Sequence, residues 1–97
     1  MGLYDVLLAI EPSPVVKLNR AAAVAMTEGA EEGIRLISEI LASGELKNYH
    51  RAYAARGELF RRLGDFANAR TDFEVALTLV RQEPERRFIE ARLAEIS

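Results

Sequence analysis

Six polar side chains, Asn19, Arg20, Arg51, Glu58, Arg61 and Arg62, hold what chemistry this 97-residue chain offers. A guanidinium presents a planar fork of donors that matches a carboxylate, and Asn19 can donate and accept at once. That chemistry is recognition: Arg20, Arg51 and Arg61 would anchor an acidic or carboxylate-bearing peptide. Two internal uses compete with it. Glu58 can pair with Arg61 or Arg62 on its own helix, and Asn19-Arg20 can tie down the turn at residues 11–14 or a neighbouring helix end. Turnover chemistry has no comparable basis. With no Cys and a single histidine, His50, the chain has no thiolate nucleophile, no disulfide and no set of ligands for zinc. His50 reads as a hydrogen-bonded surface or packing residue. There is no Gly-rich phosphate loop and no nucleophile beside a base. Glu31-Glu32 falls at a helix start, where acids favour the helix dipole and not acid–base work. We expect no catalytic residue, no metal and no cofactor.

Helices must position these groups. Leu3, Leu7 and Ile10 recur at helical spacing and predict a short leading helix over 3–10, ended by Glu11-Pro12-Ser13-Pro14. Ser13 followed by Pro14 is a hydroxyl N-cap with proline at the first helical position, opening a helix over 14–27. Gly29 breaks it, and 31–42 runs as the next, with Ile34, Ile37 and Leu41 in one line before the Ser43-Gly44 stop. Asn48 is expected to cap a helix from Tyr49 to Leu63, with Arg61 and Arg62 in its last turn. Gly64 ends it, Asp65 caps a helix from Phe66 to about Arg81, and Glu83-Pro84-Glu85 opens a last one carrying Ile89, Leu93 and Ile96. Phe60, Phe66, Phe73 and Phe88 are expected in the core.

Half the residues are hydrophobic and 29% are charged, an ordinary globular composition with room for one modest core. No apolar run approaches a membrane span, and the opening MGLYDVLLAI lacks the basic start and cleavage site of a signal peptide. The net charge of −2 argues against a general nucleic-acid binder. The charge is uneven: residues 45–62 carry a net +3 between acidic flanks. This reads as a solvated helical face, with DNA contact by the Arg51–Arg62 helix as the competing idea.

The stretch YAARGELFRRLGDFANARTDFEVAL, from Tyr53 to Leu77, organises the rest. Small residues at Gly57, Ala69 and Ala76 allow two helices to approach, and Tyr53, Phe60, Phe66 and Phe73 fill the space between them. An aromatic, a glycine, an aromatic and then Ala-x3-Phe-x2-Ala resembles a tetratricopeptide repeat. An earlier, degenerate copy aligns 35 residues before: Gly29 on Gly64, Leu18 on Tyr53, Ala22 on Gly57. With one residue removed, Gly33 falls on Ala69, Ile37 on Phe73 and Ile40 on Ala76. The expected fold is all-α: one domain, residues 1–97, of two antiparallel helix hairpins with a leading and a capping helix. In such a stack the first helix of each pair lines the concave surface. That places Arg51, Ala54, Ala55, Glu58, Arg61 and Arg62 there, with Val16, Asn19, Arg20, Ala23, Met26 and Thr27 beside them.

A narrower resemblance covers nearly the whole chain. Tyr4-Asp5 with Leu7-Leu8, the run PSPVVKLNRA at 12–21, Tyr49-His50, Ala55-Arg56, Arg62-Leu63-Gly64 and Glu85-Arg86-Arg87-Phe88 with Arg92-Leu93 are its residues. Together they resemble the C-terminal tetratricopeptide-like domain of bacterial RNA polymerase sigma factors of the extracytoplasmic-function class. The resemblance implies a cytoplasmic fragment of a longer sigma factor, regulatory in role. Its partner would be a protein or peptide, RNA polymerase or the sigma domains of the same chain, with no direct nucleic-acid contact and no membrane. A stand-alone adaptor or oligomerisation module is the alternative, forming a homodimer through the exposed end helices at Leu3, Leu7 and Ile10.

Overall fold

Ser13 and Pro14 open the first helix as their chemistry requires. The Ser13 hydroxyl accepts a hydrogen bond from the Val16 amide at 3.1 Å, and Pro14, which has no amide hydrogen to satisfy, takes the first helical position. The computed structural model describes residues 13–96; the leading helix expected over 3–10, with its proposed dimer contacts, lies outside them. The described residues form five α-helices and no strand: α1 Pro14–Glu28, α2 Ala30–Ala42, α3 His50–Arg62, α4 Phe66–Leu79 and α5 Glu83–Ile96. The chain is all-α.

Gly29 alone joins α1 to α2. Its φ of 106° lies where side-chain-bearing residues are strained, and its amide closes α1 on the Ala25 carbonyl. Gly64, at φ 81°, turns α3 into α4, whose N-cap Asp65 accepts from the Asn68 amide as its residue type suggests. Most ends fall within one residue of expectation, and two differ for a physical reason. Tyr49, not Asn48, is the N-cap of α3, and it makes no side-chain cap bond. The turn is held instead by its amide on the Leu46 carbonyl and by buried Leu46 in the core. The fourth helix stops at Leu79, short of Arg81, because Val80 turns extended and buries its side chain.

Consecutive helices pack against one another, and close pairs show their directions. Gly33 of α2 lies against Ala25 and Ala21 of α1, and Gly57 of α3 against Phe73 and Asp72 of α4. The first approach is the tighter. A Cβ on Gly33 would stand 2.6 Å from the Ala25 Cβ and 2.9 Å from a Leu59 methyl, so only glycine fits without movement. Ala22, matched to Gly57 by the repeat alignment, is exposed; Ala21 and Ala25 are the small residues that α1 buries.

The core has two clusters sharing α3. Leu18, Ala21, Ala25, Ile37, Ile40, Leu46, Ala52 and Leu59 form one; Ala69, Phe73, Ala76, Val80 and Ile89 form the other, with Tyr53 and Phe60 packed on it. Of the four phenylalanines assigned to the core, Phe73 is fully buried and Phe60 partly so. Phe66 and Phe88 are 49% and 48% exposed. Phe66 is the first residue of α4, at its exposed end, and Phe88 lies one position off the α5 line through Ile89, with the Arg92 guanidinium over its ring at 4.9 Å.

A polar pin crosses between the clusters. Asp72, 3% exposed, takes two hydrogen bonds from Arg56, at 2.8 and 2.9 Å, while the third arm of Arg56 reaches the Ser38 hydroxyl at 3.1 Å. One guanidinium thus ties α2, α3 and α4. The Asp72 hydrogen bonds hold the Arg56 pKa above its ordinary value.

Candidate protein-binding face

The exposed stripe of α3 lies between α1 on one side and α5 on the other. Two ion pairs fix α5 beside α3: Arg51 Nη2 to Glu85 Oε2 at 2.6 Å, and Arg92 Nε to Glu58 Oε1 at 2.9 Å. Both join residues 34 apart, so α3 and α5 run parallel and in register over two turns. On the other side Ala22 and Met26 of α1 line a cleft with Ala55, Glu58 and Arg62 of α3, again at a similar separation along the sequence. The odd-numbered helices therefore form a row, and α5, with Ile89 buried against α4, takes the place expected of the capping helix.

Two hollows flank α3 along this row. The α1/α3 cleft has a volume of about 210 Å³; Ile37 and Leu59 give it an apolar floor. The α3/α5 cleft, about 300 Å³, is bounded by His50, Arg51, Ala54, Glu85, Phe88 and Ile89. There His50 Nε2 stands 3.1 Å from Glu85 Oε1, and neither buried atom has a hydrogen-bond partner among the described residues. The Arg51 hydrogen bond, with the charge of that guanidinium, holds the Glu85 pKa below the usual glutamate value.

The six candidate residues do not gather at one point. Glu58 sits at the centre. Burial disfavours its charge, but hydrogen bonds from Arg61 and Arg92 prevail, and its pKa is lowered. Arg61 is consumed by Glu58 and Arg51 by Glu85, and the partner carboxylate raises the pKa of each arginine. Arg62 is exposed at the α1/α3 cleft and makes no ion pair with any described residue. Asn19 is exposed on the α1 stripe that continues to Ala22 and Met26. Arg20 is elsewhere. Two residues from Ala22 is about 200° around a helix, and Arg20 lines a separate hollow with Lys17, Leu36 and Glu39 between α1 and α2.

Pairing also bears on the DNA-contact idea for the basic segment. Arg51, Arg56 and Arg61 all face internal carboxylates, which leaves α3 no continuous cationic stripe. Reasoning from sequence passed over Arg92 and Glu85, the groups that attach α5; their 34-residue spacing from Glu58 and Arg51 was the available signal. Among the described residues no cluster of three or more His, Asp or Glu is arranged to hold a metal ion. No helix there is long and apolar enough to cross a membrane.

Comparison with known proteins gives a relative without an assigned role. The chain is 36% identical over 96 residues to an uncharacterized protein of Rhizobium meliloti (strain 1021). The match covers 98% of this chain and 22% of the relative, so the chain spans about a fifth of that protein's length. No family model and no solved structure matches it.

Proposed function

We propose that this chain is a tetratricopeptide-like regulatory domain of a bacterial sigma factor, and that it works by protein contact along the α1/α3/α5 face. The observation that carries the reading is the parallel row itself. Helices α3 and α5 are linked by ion pairs 34 residues apart, the period of a tetratricopeptide repeat, and such rows present an elongated surface with no catalytic centre. The sigma-factor assignment draws support from the run at 12–21 and the matching residues around Tyr49, Arg62 and Arg86. The partner is RNA polymerase or the sigma domains of the parent chain, met in the bacterial cytoplasm.

The test is transcription in vitro by the parent sigma factor, with and without this domain. The reading expects deletion to change either promoter output or affinity for core polymerase. Unchanged output together with unchanged affinity would discard it.

A further inference from the structure

Of the cations on the α1/α3/α5 face, Arg51, Arg61 and Arg92 are neutralised by carboxylates of the same chain. Arg62 pairs with no carboxylate among the described residues, and it stands beside an apolar cleft of about 210 Å³. That volume is below the range of cofactor pockets, about 300–1,000 Å³, and suits one side chain. Ala22, Ile37, Ala55 and Leu59 give the cleft no polar group to satisfy. Met26 borders it, 74% exposed, with an unbranched thioether that can fold over different shapes. Glu58 lies at the same cleft, but two arginines already bond its carboxylate, so the unbalanced charge there is the positive one of Arg62.

We infer that the α1/α3 cleft takes a single aliphatic or aromatic side chain of a partner polypeptide, and that Arg62 takes the carboxylate of an acidic residue next to it. The occupant is thus a hydrophobic–acidic peptide segment. Met26 closes over the apolar group, and the guanidinium selects the charge through a charge-assisted hydrogen bond. This rests on reading the face as a protein-binding surface, and it names what that surface selects.

The experiment is a titration of the whole chain, labelled with ¹³C at its methionine methyls. The Met26 signal is assigned by its loss in Met26→Leu. The probes are three acetylated, amidated pentapeptides: Gly-Ser-Leu-Asp-Gly, its lysine analogue Gly-Ser-Leu-Lys-Gly, and Gly-Ser-Ser-Asp-Gly, which lacks the apolar group. The Leu-Asp peptide should shift the Met26 methyl saturably, and each of the others should bind about tenfold more weakly, as loss of one such contact dictates. Arg62→Glu, at an exposed position, should reverse the preference between the aspartate and lysine peptides. No saturable shift with any peptide, or equal binding of the aspartate and lysine forms, overturns the inference. The two readings fail separately. A domain that alters transcription but ignores all three peptides keeps the regulatory role and loses this cleft. Selective peptide binding without any effect on transcription keeps the cleft and loses the regulatory role.

Discussion

Removing Asp72 tests how three helices are held together. Asp72→Ala leaves the Arg56 guanidinium, on a side chain 22% exposed, with Ser38 as its one remaining partner among the described residues. Stripping one partner from a buried ion pair costs about 3–5 kcal/mol, because the surviving charge stays desolvated. A domain of this size is stable by roughly 5–15 kcal/mol in total, so the loss is at least a fifth of it and could be most of it. Urea unfolding followed by circular dichroism reads the effect. With a slope of about 1–3 kcal/mol per molar, a 3 kcal/mol loss lowers the midpoint by about 1–3 M at unchanged slope. Replacing both members, Arg56→Met with Asp72→Leu, should restore most of the midpoint, since no charge is then left buried alone. A change below about 1 kcal/mol in Asp72→Ala would refute the claim that this pair fastens α2, α3 and α4.

Gly33→Ala should destabilise by about 1–3 kcal/mol, because its Cβ meets Ala25 and Leu59 inside contact distance. Gly57→Ala should be milder: its nearest contacts are 3.2–3.3 Å, and alanine's helix propensity offsets them in part; thermal melts compare the two. Phe73→Ala should cost about 3–5 kcal/mol, whereas Phe66→Ser should stay within about 0.5 kcal/mol, measured by the same melts. The lowered pKa values of Glu58 and Glu85 set a pH dependence. A carboxylate whose folded pKa is depressed adds stability above its unfolded value and loses it as pH falls through the folded one. The urea midpoint should therefore drop between about pH 5 and pH 3, and Glu58→Gln with Glu85→Gln should flatten that limb.

The helices were legible because their ends are written in local chemistry. Ser13 with Pro14, Gly29, and Gly64 with Asp65 each act within a few residues of themselves, and each does in the structure what its type implies. Asn48 misled because a cap of the right type competes with Leu46, whose burial moves the turn one residue on. Phe66 and Phe88 misled because aromaticity reports an ability to bury and not whether a neighbour is there to bury against. The partnering of arginines needs the register between helices, which periodicity along one helix does not contain. Asp72 was the exception in principle. A lone acid on the stripe Ala69, Phe73 and Ala76 demands a buried cation, and Arg56 beside Gly57 stands at the point of closest approach. Of the candidate site, Glu58 and Arg62 come together at one cleft, while Arg20 is carried round to another side of α1 by two residues of helical rotation.

The Ser38–Arg56–Asp72 contact has a meaning for anyone recombining such arrays. Its three members come from three successive rods, one in the first hairpin and two in the second. Cutting the array at the 43–49 connection and splicing in a foreign neighbour would part Arg56 from its hydroxyl acceptor. A graft boundary at Gly64 would leave a buried cation on one piece and a buried anion on the other. Shuffled versions should thus tolerate the first cut far better than the second, and a transplanted α4 should function only beside a helix that brings its own arginine.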